Sequence, residues 1–438
     1  VYRPPGERPP LGGRAVGRGG PLPEPSGRQG GDVYYGPGIN VQFPDDPTLA
    51  PFLSLEEREP TAGGRGPMRI TPDIIETAKA LPEAGERGRV LLQITRGAIL
   101  GNQLRTANNA LVEAASAADH EDNDLIHDQL IISVVTTAGL LSDALLREAK
   151  PQLAVFADDT RKEAIPSQKL TPDLAIRLAR LEWQRSIYMA ARIKNPTYRS
   201  EYLDRAIENM ANGSATIAVE YARPTDADLR DANDKEAAEN HDDYVKQADE
   251  VLLEAEQAAA MIQRPIWKNH ALERIAVAAG VSNQYARATR IAAGIKNAEA
   301  RARALILVAE SQARSNQNDA ATESYNLVGE AVASIQQLGL RGVLAGIMID
   351  SLISTGRFED ARASLVLYPT DSERYVAMGA IAESQGVRRM GPEAREWIDR
   401  DVPPEYRSTL YRRLSNGLLR AISEDRAKEF QSRGMDAG

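Results

Sequence analysis

At 438 residues the chain can bury a large core, and a composition that is 42% hydrophobic but only 5% aromatic builds that core from Ala, Leu, Ile and Val. The formal charge of -9 disfavours non-specific nucleic-acid binding, because phosphate affinity needs a concentrated positive surface. The absence of cysteine excludes disulfides, thiolate metal sites, cysteine nucleophiles and a lipidated N-terminal cysteine.

Residues 1–67 form a Pro/Gly-rich arm that holds about half of the proline and nearly half of the glycine. No helical or strand period runs through it. Arg3, Arg8, Arg14, Arg18 and Arg28 make its first part basic, and Asp32, Asp45, Asp46, Glu56, Glu57 and Glu59 make the rest acidic. Tyr34, Tyr35, Phe43 and Phe52 are candidate aromatic anchors, so the arm is expected to be disordered alone or docked on a partner. The chain starts at Val1, which removal of a signal peptide would explain, so an exported or periplasmic location is expected over a cytoplasmic one. Arg exceeds Lys roughly fourfold, the mark of a GC-rich bacterial genome rather than of a partner. No apolar run reaches the roughly 20 residues of a membrane span; the best, 130–141, is interrupted by Ser133, Thr136, Thr137 and Gly139.

Residues 68–224 read as an irregular helical region. Thr71-Pro72-Asp73 and Thr171-Pro172-Asp173 repeat one start signal: an N-cap threonine, proline in the first turn and an acid facing the helix dipole. Leu91, Ile94 and Ala107 carry a spacing that recurs further on. An apolar helix follows over about 124–138, another runs to 150, and a long one spans 174–193. Its partner, 202–221, is expected to break near Gly213. Thr225 and Asp228 open a polar stretch, 225–265, that reads as one long, largely solvated connecting helix.

Residues 266–438 repeat. Leu272/Ile275/Ala276, Leu305/Val308/Ala309, Leu344/Ile347/Met348, Met378/Ile381/Ala382 and Tyr411/Leu414/Ser415 lie 33 to 39 residues apart. About 16 residues after each of the first four stands an alanine: Ala288, Ala321, Ala361 and Ala394. This is the spacing of stacked helix hairpins. The fold class is all-α: an α-solenoid of antiparallel helix hairpins preceded by the extended arm.

Gly356-Arg357-Phe358-Glu359-Asp360-Ala361 resembles the inter-helix turn of a tetratricopeptide repeat, and Asn318-Asp319-Ala320 and Gly391-Pro392-Glu393-Ala394 are similar to it. The resemblance covers about 268–420. It implies a right-handed superhelix whose concave face, lined by the first helices, receives a peptide or another subunit.

Catalytic chemistry finds little support. There is no G-x-x-x-x-G-K-S/T sequence, and the glycine pairs lie in the arm. His120, Asp122, Asp124 and His127 form the densest ligand-like cluster, read first as a solvated helix start and second as a hard-cation or zinc site. Glu239, His241, Asp242 and Asp243 read as the wet face of the connecting helix, and His270 as a packing residue. No cofactor is expected. Lys268, Arg301, Arg374 and Arg407 each stand four residues before the leading apolar position of a repeat, so they recur along one helix face. They either cap preceding carbonyls and pair with nearby acids, or form a ladder that reads an acidic segment, including the arm of another copy. The function read from this sequence is a non-catalytic scaffold or adaptor binding peptide segments, protein subunits or further copies of itself. The alternatives are a helical enzyme or an accessory of a cell-wall or polysaccharide enzyme, and a helical-repeat RNA-binding protein.

Overall fold

The computed structural model describes residues 32–34, 40–42, 70–149, 172–222 and 235–435. The chain divides into two units, Val1–Gly66 and Pro67–Gly438. In the first, β1 (Asp32–Tyr34) pairs antiparallel with β2 (Asn40–Gln42), with Val33 opposite Val41 and Tyr34 opposite Asn40. The sequence reading places no strand in the arm, since three-residue strands are too short for a period of two to register. Val and Tyr on either side of Gly36-Pro37-Gly38 are nevertheless hairpin chemistry. Tyr35, Phe43, Phe52 and the expectation of disorder lie outside the described residues.

The second unit is an all-α solenoid with sixteen α-helices among its described residues. The short α1 (Pro72–Lys79) starts at Thr71-Pro72, where Thr71 takes the N-cap position without a side-chain cap bond. Seven hairpins follow. They are α2 (Ala84–Leu100) with α3 (Leu104–Asp119), α4 (Asp124–Ala149) with α5 (Pro172–Arg192), and α6 (Pro196–Thr216) with α7 (Lys235–Ala259). Then come α8 (Pro265–Val281) with α9 (Tyr285–Ala293), α10 (Ala298–Arg314) with α11 (Asn318–Ala333), α12 (Leu338–Ser354) with α13 (Phe358–Ala363), and α14 (Asp371–Val387) with α15 (Gly391–Asp401). The final helix, α16 (Pro404–Met435), occupies the next first-helix position. Each first helix packs on the first helix of the hairpins before and after it, so the stack is unbroken from α2 to α16.

One turn makes five of these hairpins. Asn102, Asn283, Asn316, Gly356 and Arg389 each have a φ between 52 and 79°. In every case this residue donates its N–H back to the carbonyl three residues earlier, and the following N–H reaches the carbonyl five residues before it. That is a Schellman closure, which satisfies the orphan carbonyls of the first helix and reverses the chain. Five residues after each left-handed residue comes an alanine, namely Ala107, Ala288, Ala321, Ala361 and Ala394, and all five are fully buried. A methyl group is what permits the second helix to cross there.

The turns also correct the register of the third C-terminal repeat. Counted back from the left-handed residue, Ala345 and Met348 correspond to Leu305 and Val308, and both are buried. The sequence reading put Leu344 and Ile347 in those places, one residue too early. Leu344 is buried all the same, but Ile347 is exposed. The leading positions Leu272, Met378 and Tyr411 are only half-buried.

Three further expectations change. α7 is not a solvated spacer: it buries Ala248, Val251, Leu252, Ala255 and Ala259 against its neighbours, because its polar residues occupy one face only. Gly213 does not break α6; its missing side chain leaves room for the Trp183 ring, and the helix ends in a π turn at Ile217–Tyr221. Finally, α4 is long and apolar enough to cross a membrane by length and composition, yet most of its apolar window is buried within the array.

Candidate interaction surface

Because the turns fix register, side chains at one distance from the left-handed residue share a face along the stack. Positions thirteen and nine before it project outward from the first helices. In α8 they are His270 and Arg274, and these are tied to α6: His270 Nδ1 lies 2.8 Å from Asp204 Oδ2, and Arg274 Nε 3.1 Å from Glu208 Oε1. In α10 the first of these positions is still basic, Arg303, which pairs with Glu299 and Glu273, and the second is Leu307; in α12 and α14 both are apolar. Leu307, Val343, Ile347 and Val376 are all exposed there.

An acid stands six residues before the left-handed residue in each of these three helices: Glu310, Asp350 and Glu383. Glu310 pairs with Arg314 and accepts from Ser351 and Ser354 hydroxyls at 3.4 Å. Glu383 pairs with Arg413 at 3.1 Å and Arg420 at 3.4 Å, both on α16. Burial pushes the Asp350 carboxyl above its ordinary value. The α10–α14 face is therefore an apolar band with an acidic margin, some of it already countered by the array's own arginines.

The cationic positions singled out in the sequence do recur, fifteen residues before the left-handed residue: Arg87, Lys268, Arg301, Arg341 and Arg374, with Arg407 in the corresponding turn of α16. For four of them the work is internal. Arg87 donates to Leu81 O at 2.8 Å, Arg301 to Ile295 O at 3.3 Å, Arg341 to Leu367 O at 2.9 Å and Arg407 to Val402 O at 2.8 Å. Each closes a loop carbonyl onto a first helix, so Arg301 and Arg407 do not form an open ladder. Arg341 was missed because the register slip in the third repeat looks for a cation at Leu340. Arg374 makes no such carbonyl bond; it pairs with Asp371 at 3.1 Å.

The acidic histidine cluster does not converge. His120 Nδ1 is 2.6 Å from Ser116 O, Asp124 binds Lys194, and buried His127 contacts Asp128 Oδ1 at 3.1 Å. Asp128 itself accepts from the backbone N–H groups of Lys194 and Asn195 at 2.8 and 2.9 Å, which anchors the start of α6 to α4. Asp122 and His120 line a shallow cleft of about 450 Å³ with Glu121 and the first turn of α2. Among the described residues no group of three or more His, Asp or Glu side chains is placed to hold a metal ion. Tyr34 lies in β1 of the first unit.

One carboxylate has a strongly shifted affinity for its proton. Burial raises Glu182 to about 7 against the pull of Arg185, whose Nη1 stands 2.8 Å away. No residue pattern marks it, since it looks like any surface glutamate on an amphipathic helix. At 1% exposure it is sealed from any substrate.

No family model matches the chain, and no curated protein is detectably similar to it. Among solved structures it is similar to a circular tandem repeat protein with novel repeat topology and enhanced subunit contact surfaces, at 14% identity over 83% of this chain and 90% of that one, with a TM-score of 0.37. It is also similar to Ton1535 from Thermococcus onnurineus NA1, at 14% identity over 78% of this chain and 83% of that one, with a TM-score of 0.28.

Proposed function

We propose that this protein is a non-catalytic scaffold or adaptor of the tetratricopeptide-like kind, which receives a peptide segment or a subunit, further copies of itself included, on its first-helix face. The observation behind this reading is the row Leu307, Val343, Ile347 and Val376, left exposed at one or both of two equivalent positions in three consecutive first helices. Apolar residues scattered singly over a surface need no explanation, but a row held in register by a repeated turn is what a partner's apolar side chains can read. The acidic margin restricts the partner to one that brings no excess of negative charge there.

The reading is tested by capturing binding partners from the native source with the whole chain and with a Val343→Glu/Ile347→Glu/Val376→Glu variant. Exposed positions tolerate glutamate, so circular dichroism and thermal unfolding should be unchanged while specific partners are lost. An identical set of partners, or identical self-association by sedimentation where the partner is a second copy, removes this face from the function.

A further inference from the structure

Arg374 departs from its column. At the equivalent positions Arg341 and Arg407 commit their Nε–H to a loop carbonyl, whereas the Nε of Arg374 is buried with no acceptor. A second orphan lies beside it: Arg362 on α13 also has a buried Nε without a partner. Both arginines line one cleft of about 460 Å³, between α13, the 3₁₀ turn Ser364–Leu367, α14 and α15. The Arg362 guanidinium lies over the Trp397 ring at 4.6 Å, which holds it on the cleft floor.

The charges in this cleft are unevenly placed. Arg362 pairs with Glu359 at 2.8 Å, but its side chain is 10% exposed and that of Glu359 is 83% exposed. Arg374 and its partner Asp371 stand at 36% and 77%. In both pairs the acid sits in water one turn away on the same helix, where screening weakens it, and the cation sits deeper. Burial accordingly holds Arg362 below its ordinary value. The result is a cationic floor under an acidic rim that Asp401 completes.

We propose that this cleft binds a carboxylate of a peptide segment, with the guanidinium groups of Arg362 and Arg374 as donors and Val366 and Met378 as walls for the adjoining aliphatic carbons. The planar fork of arginine matches a carboxylate, and the volume falls within the roughly 300–1,000 Å³ of small-ligand pockets. The rim acids repel any anion, so selection rests on the apolar walls, which the aliphatic carbons beside a peptide carboxylate can use and inorganic phosphate cannot. This site stands apart from the α10–α14 face, and neither result decides the other.

The experiment titrates the full chain with the acetylated, amidated tripeptide Leu-Glu-Leu, its Leu-Gln-Leu counterpart and inorganic phosphate. The readout is the indole N–H resonance of Trp397, assigned by its loss in Trp397→Phe. Leu-Glu-Leu should shift that resonance saturably, and Leu-Gln-Leu should bind about tenfold more weakly, the loss expected for one charge-assisted hydrogen bond. Arg374→Gln, at a half-exposed position, should keep the fold and lose the preference for Glu over Gln; Arg362→Lys keeps the charge without the fork and should weaken Leu-Glu-Leu. Equal binding of Leu-Gln-Leu, phosphate binding as tight as the peptide, an unaffected Arg374→Gln, or no shift with any of the three probes overturns the proposal.

Discussion

Two stretches of the same stack are built by different means. In α4–α7 the helices run to 26, 21, 21 and 25 residues. In α8–α15 every first helix has 17 residues, as does α2, and the hairpin closes in a three-residue turn. The long stretch holds itself together with bulk and buried polar anchors. Trp183 donates to Ser142 Oγ at 3.0 Å, the Tyr221 hydroxyl donates to Leu146 O, and Ser214 donates to Ala248 O at 2.7 Å. The two largest fully buried side chains, Trp183 and Tyr202, belong to α5 and α6. The short stretch relies on a local turn and an alanine crossing. Geometry written into a few consecutive residues can be repeated, whereas geometry that depends on distant partners cannot.

The comparison predicts which substitutions cost most. Trp183→Ala should be the most damaging, at about 3–5 kcal/mol, because it empties a sealed site and leaves Ser142 without its donor. Urea unfolding followed by circular dichroism measures it, and a cost near zero would show that bulk does not hold the long hairpins. Ala361→Leu should cost about 1–3 kcal/mol by overpacking a crossing with no free space. Should it equal Trp183→Ala, the distinction between the two modes of construction falls.

The junction between the two stretches should respond to pH. Hydrogen bonding to Asp204 raises His270 above its ordinary value. The stabilisation is then fully present below the unfolded histidine value of about 6.5, and it is lost as pH rises through the higher folded value. With His270 34% exposed, although Asp204 is only 2% exposed, the effect is on the order of 1 kcal/mol. Thermal unfolding of the wild type minus that of His270→Asn should show this decline from pH 6 upward, and a difference that stays flat or grows with pH contradicts it. The smallest effect is a gain. Arg389 holds φ 62°, which a side chain with a Cβ tolerates at a cost of roughly 1–2 kcal/mol. Arg389→Gly should raise stability by up to about 1 kcal/mol, offset by loss of the ion pair with Asp425. A fall in the melting temperature would mean that the ion pair outweighs the backbone.

Much of the short stretch was legible because its signal is local. The alanines stand out since each crossing admits nothing larger, and they fixed the hairpin count. The left-handed turn did not stand out, because Asn283, Asn316 and Arg389 fill it and only Gly356 has the expected identity. That gap produced the register slip that misplaced Ile347 and hid Arg341. The arginine column was visible, but its role was not, since it depends on carbonyls of connections that the fold brings alongside, the preceding one for Arg87, Arg301 and Arg407 and the following one for Arg341. The orphan nitrogens of Arg362 and Arg374 were beyond reach for a related reason: an unmet hydrogen bond exists only once the neighbours are in place.

The constant first helix has a consequence for how such a chain can change. In the hairpins whose first helix has 17 residues, second helices vary from α13 at 6 residues to α11 and α3 at 16. The left-handed residues 283, 316, 356 and 389 are accordingly 33, 40 and 33 apart, and the extra residues are taken up mainly by α11. One edge of the array behaves as a ruler whose graduations are first helices of equal length, each about 25 Å along its own axis, and the other as slack. Insertions and deletions can accumulate on the slack edge without moving a single graduation. A partner that reads the ruled edge would meet the same pitch in a chain whose total length had changed.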